Sequence, residues 1–496
     1  MLLKSSKIIM WSLAALVSVA QVAQAEDKKW NFLVIVVDDL GQMDISPNNP
    51  NTYYETPNLE KLATQSVRFS QNYSASPVCS PARLALMTGK HPARVNATDW
   101  FHLKEGDGRS ETFKWGKDIQ HMPVEEITLA EALKPKGYKS AFLGKWHLGH
   151  SEKYWPENQG FDTNVGGYQA GSPRGRNDEK GVGYFSPHNN PRLSDGEDGE
   201  YITERLSTEA MNLLDGYSKA DDPFLMVLSY YSVHTPLNAP KKTIKKYQNQ
   251  ADERKLKGVF LEEEQVWPTD RVRTVRQNQT HSTYAAMVEH MDRNIGLVLG
   301  QLEKSGLAED TIVFFTSDNG GLSSSEGSPT SNLPFRGGKG WIYEGGIRVP
   351  FMVRWPDVGR EGYTNPAAVT GLDIFPTIME IADVNAPRGD GQSLVEKIKG
   401  KVERTEEPLY WHYPHYSNQG GPPSSAVRLG DYKFIQRLED GRYHLYNLAN
   451  DPEENHDLVT ELPEKSTQMR SMLLSWFNEV GAEMLREKDG KIPWNP

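Results

Sequence analysis

Four apolar runs, each breaking off into polar residues, constrain this chain most. Residues 31–37 read NFLVIVV and run into Asp38-Asp39. Residues 223–228 read PFLMVL and lead to His234-Thr235-Pro236. Residues 311–315 read TIVFF and lead to Ser317-Asp318-Asn319-Gly320-Gly321. A shorter run at 138–143 enters Gly144-Lys145-Trp146-His147-Leu148-Gly149. A strand without polar alternation is buried on both faces, as in a parallel sheet covered by helices. Helical spacing of apolar residues marks 57–69, 128–133, 203–214, 284–302 and 371–383. Strands alternating with helices predict an α/β fold, a large doubly wound mixed or parallel sheet flanked by helices. In such sheets ligands bind outside the carboxyl ends of the strands. All four runs place their polar residues there.

The two ends of the chain differ from this middle. Residues 1–25 carry Lys4, Lys7, a mostly apolar stretch and Ala23-Gln24-Ala25, the pattern of a cleaved signal peptide. No later run reaches about 18 apolar residues, so no membrane anchor is expected. After residue 391 the segments 426–437 and 443–448 alternate, with Asp440-Gly441 as a turn. They predict a small antiparallel sheet, closed by a helix at 467–480. The expected organisation is a signal peptide at 1–25, a catalytic domain at 26–390 and a C-terminal α+β subdomain at 391–496. Residues 171–200 read as an irregular excursion, and 240–279 as a charged connector. The net charge of −11 argues against a nucleic-acid partner. A single cysteine excludes an intramolecular disulfide. An exported chain without disulfides relies on a large core, which suits a bacterial periplasmic or secreted protein.

That cysteine is Cys79, within VCSPARLALMTG at 78–89. Pro81 suits the first turn of a helix and Gly89 its stop, placing Cys79 just before a helix N-terminus. Backbone N–H groups and the helix dipole favour an anion there. Alone, Cys79 reads as a small buried hydrophobe. Yet Cys79-x-Pro81-x-Arg83, followed by Thr88-Gly89, resembles the formylglycine-dependent sulfatases of the alkaline phosphatase superfamily. The resemblance implies a sulfuric ester hydrolase. It also implies that Cys79 is oxidised to formylglycine (3-oxoalanine) by a separate maturation enzyme, formylglycine-generating or anaerobic. One hydroxyl of the hydrated aldehyde would attack sulfur, and the second would then expel sulfate.

The resemblance covers nearly the whole chain after the leader. It implies that Asp38, Asp39, Asp318 and Asn319, with the converted Cys79, bind a metal. Three carboxylates and an amide oxygen are hard ligands, suited to Ca²⁺ or Mg²⁺ and not to Zn²⁺. Family precedent favours calcium. By the same resemblance Lys145 contacts the sulfate oxygens and His147 bonds the formylglycine. His234 matches a His-x-Pro histidine, the acid at the leaving alcohol. Lys339, in GGKGWIYEGGIRVP at 337–350, matches a second sulfate lysine, and Arg83 the arginine that steadies nucleophile and metal. Leu445-Tyr446-Asn447-Leu448 and Asp451-Pro452-Glu453-Glu454 resemble the family's C-terminal ending. Each acidic pair alone would read as a turn; their coincidence carries the reading.

Candidates for substrate selection are Asp99, Trp100, His102, Arg174, Arg176, Arg336, His412 and His415. Lys90-His91-Pro92-Ala93-Arg94 with Thr98-Asp99-Trp100 resembles sulfatases that act on carbohydrates. Trp100 would stack on a sugar face, and Arg176 would meet a second anionic group. His281 and His290 lie nine apart and read as structural. The expected function is an exported sulfatase acting on a sulfated carbohydrate. Exo action on oligosaccharides from an algal or glycosaminoglycan-like polysaccharide is expected, with a galactose-type 4-sulfate as one candidate. Two alternatives stay open: a phosphonate monoester or phosphodiester hydrolase of the same superfamily, and a non-catalytic sulfated-glycan-binding protein with an unconverted Cys79.

Overall fold

The computed structural model describes residues 28–102, 110, 112–114, 116–173, 183–264, 273–401 and 407–494. The leader at 1–25, Arg174 and Arg176 lie outside them. Eight strands make one sheet: β1 (Asn31–Val37), β2 (Val67–Tyr73), β3 (Lys139–Gly144), β4 (Thr163–Val165), β5 (Phe224–Ser229), β6 (Thr311–Ser317), β7 (Phe351–Arg354) and β8 (Thr364–Thr370). Their spatial order is β8-β2-β7-β6-β1-β5-β3-β4. β7 is antiparallel to both neighbours, and every other pair is parallel. The four apolar runs therefore form β6, β1, β5 and β3, consecutive in the sheet.

Register explains why their polar ends meet. Val37 lies beside Ser317, Val36 beside Ser229, and Gly144 beside Ser229. β1 is buried at every position, with Ile35 between Leu228 and Phe315. Burying such side chains contributes about 1.5–3 kcal/mol each, which fixes the register of the central strands. Helices Ile202–Tyr217 and Ser282–Lys304 pack against each other and line the same core.

Several sequence expectations are corrected here. The helix expected over 57–69 stops at Thr64, and β2 begins at Val67. The VRFSQNY run opens with alternating burial, Val67 and Phe69 inward and Arg68 and Ser70 half-buried, instead of following a helical period. β8 was not read because Pro366 interrupts it and its register slips between Asn365 and Ala368, features of an edge strand. β4 is the opposite edge and only half-buried. The 240–279 connector contains a helix at Lys241–Glu253, which buries only Tyr247, and a ribbon of Phe260–Glu262 against Thr274–Arg276.

A second, four-stranded antiparallel sheet follows: β9 (Leu409–Tyr413), β10 (Ser424–Leu429), β11 (Tyr432–Arg437) and β12 (Tyr443–Asn447). The single strand expected at 426–437 is two, hinged at Gly430-Asp431. Helix Pro463–Val480 lays Met469, Leu473 and Phe477 on Val427, Phe434 and Leu445. Among the described residues no helix is long and apolar enough to cross a membrane.

Candidate active site

Loops after four adjacent strands and the head of one helix build the site. Asp38 and Asp39 follow β1, and Asp39 turns the chain away from the sheet at φ 62°, a conformation aspartate tolerates. Asp318 and Asn319 follow β6, Lys145 follows β3, and His234 lies beyond β5. Cys79 is itself the first residue of helix Cys79–Thr88, with Val78 as its N-cap. Gly89 ends that helix at φ 67°, its N–H bonded to Ala85 O. Atoms of Asp38, Asp39, Cys79 and His234 lie within 4.8 Å of one another.

The charges are buried and paired. Lys145 Nζ is 2.6 Å from Asp38 Oδ2, and Lys339 Nζ is 2.9 Å from Asp39 Oδ2. Arg83 Nε is 2.8 Å from Asp318 Oδ2, and its Nη2 is 3.7 Å from Asp38 Oδ1. Burial works against the charge of Asp39, but Lys339, His234 and Lys145 outweigh it and hold that carboxyl well below the usual range. Asp38 goes the other way. Burial pushes it up against the pull of Lys145, and the Asp318 and Asp39 carboxylates add to the push. Burial also opposes the charge of Lys339, but Asp39 overrides it and raises the ammonium well above its ordinary value.

Two acceptors remain unsatisfied. Asp38 Oδ1 and Asn319 Oδ1 are buried without a hydrogen-bond partner. The Asn319 amide N–H donates to Asp39 Oδ1 at 2.8 Å, which fixes where its own oxygen points. Orphan buried acceptors demand a partner. These hard oxygens, together with the Asp39 and Asp318 carboxylates, fit a divalent cation of the calcium or magnesium type.

His147 supports helix Cys79–Thr88. Burial first, then the charges of Lys145 and Arg83, push its ring well below its ordinary value, so it is neutral. Its Nε2 donates to Phe101 O at 3.2 Å, and Nδ1 faces Ser80 Oγ at 3.3 Å. Ser229 and Ser80 belong to the site as well. Ser229 Oγ accepts from Arg83 Nη1 at 2.6 Å and donates to Lys145 O at 2.7 Å. The signal was available, since Ser229 is the first polar residue after PFLMVL.

The other candidates separate. Asp99 is buried and accepts from Tyr413 OH at 2.9 Å. Its second oxygen is 3.6 Å from His102 Nε2. Trp100 is half-buried against the Trp341 cluster, its ring 4.7 Å from that of His102. His415 is buried and bonds Thr98 Oγ1 at 2.8 Å. His412 is corrected. Its ring nitrogens are taken by Ser425 Oγ at 2.7 Å and Glu483 O at 2.8 Å, leaving none for a substrate. Arg336 is corrected too, since it grips Glu263 through Nε at 3.0 Å and Nη2 at 2.5 Å.

The sulfatase family pattern matches residues 30–384. The chain belongs to the sulfatase family. A second pattern, "N-sulphoglucosamine sulphohydrolase, C-terminal", matches residues 337–480. A "Sulfatase" of Formosa agariphila is 29% identical, with 99% of this chain and 97% of that protein covered. Human steryl-sulfatase is also 29% identical, over 77% of this chain and 72% of its own. Among solved structures, Ps i-CgsB in complex with k-i-k-neocarrahexaose superposes with a TM-score of 0.71 at 25% identity, with 94% of each chain covered. This sulfatase has the alkaline phosphatase-like fold of its structural neighbours, and its activity is sulfuric ester hydrolysis.

Proposed function

We propose that this sulfatase is exported, calcium-dependent and formylglycine-dependent, and that it removes sulfate from oligosaccharides of a sulfated polysaccharide by exo action. One observation supports a carbohydrate over an apolar alcohol: the surroundings of His234 are polar. Thr235, Glu326, Asn418 and Gln419 form a hydrogen-bonded group beside it. Hydroxyl-rich leaving groups match such a lining, whereas a steroid leaves it unsatisfied.

Converted Cys79 would supply a hydrated aldehyde as nucleophile, and a cation held by Asp38, Asp39, Asp318 and Asn319 would offset charge on the sulfuryl oxygens. Everything else belongs to the chain. Lys145 and Lys339 approach from opposite carboxylates and offer N–H donors to the sulfate oxygens. Arg83 ties Asp38 and Asp318 to the nucleophile helix. His147 holds Ser80 and thereby the first turn of that helix. His234 donates a proton to the leaving oxygen.

Cys79→Ala abolishes sulfate release on this reading, and mass spectrometry of the natively produced Cys79 peptide shows the aldehyde. Substantial turnover by the variant would sink the nucleophile assignment. A thiol throughout the native protein would favour a binding role. Comparing nitrophenyl sulfate with phenyl phosphonate separates sulfatase from phosphonate hydrolase chemistry, and a panel of defined sulfated saccharides fixes the sugar.

A further inference from the structure

We propose that Glu326 is a specificity-determining residue, selecting a hydroxyl-bearing leaving group that carries no second anion on the His234 side. Glu326 lies between Asn319 and Lys339 and in no motif. It sits in a turn closed by Ser328 N to Ser325 O at 2.7 Å, its own φ at 51°. Its side chain is fixed at both oxygens: Oε2 accepts from Thr235 Oγ1 at 2.7 Å, and Oε1 from Gln419 Nε2 at 2.9 Å. Three segments thus meet on this carboxylate: the His234 loop, the Asp318-Asn319 loop and the C-terminal subdomain.

The group is exposed at the rim, yet it feels the site. Burial of its head group works against the charge, but attraction to Lys339 and His234 and the Thr235 hydroxyl outweighs this, holding the carboxyl below its ordinary value. It is therefore a standing negative charge beside the residue that meets the leaving oxygen. Oε1 also accepts from Asn418 Nδ2 at 3.4 Å and is filled, whereas Oε2 has two acceptor positions with one used, so one remains there for a sugar hydroxyl. A second sulfate or a carboxylate on the same sugar meets like charge instead. At about 6 Å in a half-wet rim, a unit charge corresponds to about tenfold in kcat/KM. Lys145 and Lys339 recognise sulfate at the reacting centre; Glu326 would reject it one step outward.

This assignment rests on the sulfatase acting through His234 on an alcohol leaving group. It is tested with 4-nitrophenyl sulfate and 3-carboxy-4-nitrophenyl sulfate, whose kcat/KM ratio is compared between the unmodified enzyme, Glu326→Gln and Glu326→Asp. Intrinsic reactivity differences cancel between enzymes. Glu326→Gln is expected to raise the carboxylated-to-neutral ratio about tenfold, and Glu326→Asp to leave it near that of the unmodified enzyme. The gain should shrink as salt rises from about 0.05 to 0.5 M. A ratio in Glu326→Gln equal to that of the unmodified enzyme, or a gain equally large in Glu326→Asp, overturns the proposal. Failure of the unmodified enzyme to turn over either compound would sink the sulfatase reading itself, and this one with it.

Discussion

Replacing Glu454 by glutamine should change how stability depends on pH. Lys433 sits between two carboxyl groups, 3.1 Å from Glu344 Oε1 and 2.9 Å from Glu454 Oε1, and all three residues are fully buried. They join the Lys339 loop to the C-terminal sheet. The two carboxyls are not equivalent. Burial opposes charge on Glu344, but Lys433, Arg348 and Arg428 hold it below its ordinary value. Glu454 has Lys433 alone, and burial pushes it up to about 7 from an ordinary 4.5, with Glu344 adding to the push. A carboxyl that binds its proton more tightly in the fold stabilises fully below its unfolded pKa. That stability is lost as pH rises toward 7, about 3 kcal/mol in all and about 2.5 kcal/mol of it between pH 5 and 8. Glutamine removes the titration; its one oxygen can accept the Glu344 N–H, now 2.7 Å from Oε2, leaving its NH2 beside Lys433, a cost that does not vary between pH 5 and pH 8. Urea unfolding of both proteins at pH 5 and pH 8 reads the effect. Glu454→Gln should gain about 2.5 kcal/mol on the unmodified protein between pH 5 and pH 8. An identical change in midpoint across the two pH values would refute the reasoning.

Other expectations concern the site. His234→Ala should cost about 10²–10⁴-fold on a sulfated sugar, and far less on an activated aryl sulfate, whose leaving group needs no proton; equal losses on both would count against a leaving-group acid. A strong chelator should abolish activity and lower the melting temperature, with calcium restoring both better than magnesium, because the Asp38, Asp39 and Asp318 carboxylates are packed together; unchanged melting would remove the metal from the argument. His412→Phe should leave kcat/KM within about twofold while costing about 1–3 kcal/mol, since Ser425 and the Glu483 carbonyl lose their partner; a large activity loss at unchanged stability would return His412 to the substrate site.

What was legible in the sequence was local. NFLVIVV, PFLMVL and TIVFF carry their burial in composition, and a polar residue ending such a run can only leave the sheet at its edge. Three such endings on neighbouring strands place Asp38, Asp39, His234, Asp318 and Asn319 together without any knowledge of contacts. The edge strands were hidden for the opposite reason. β8 has Pro366 and a register slip, and β4 is half-exposed, so neither looks apolar or alternating. His412 and Arg336 were misread because their partners are tertiary. Glu263 lies 73 residues before Arg336, and Glu483 lies 71 after His412. A charged or aromatic-flanked residue advertises chemistry until its partner is known. Glu326 errs the other way, since only its meeting with Thr235, 91 residues earlier, gives it a place beside the site.

The arrangement of charge explains why these residues can be buried at all. Asp38, Asp39 and Asp318 are matched by Arg83, Lys145 and Lys339, each cation within 3 Å of a carboxylate oxygen. The protein's own groups thus balance, which limits the cost of taking six charges out of water. A divalent cation held by Asp38, Asp39, Asp318 and Asn319 would leave the site with an excess of positive charge and would share the Asp38 and Asp39 carboxylates with Lys145 and Lys339. Both lysines would then be less committed to Asp38 and Asp39 and freer to meet a sulfate. On the proposed function the donors that would bind the anion are the side chains of these buried ion pairs, so replacing either lysine should weaken sulfate binding and leave a buried carboxylate short of a partner. Stability and activity are coupled at this site more tightly than at the rim, where Glu326 is exposed.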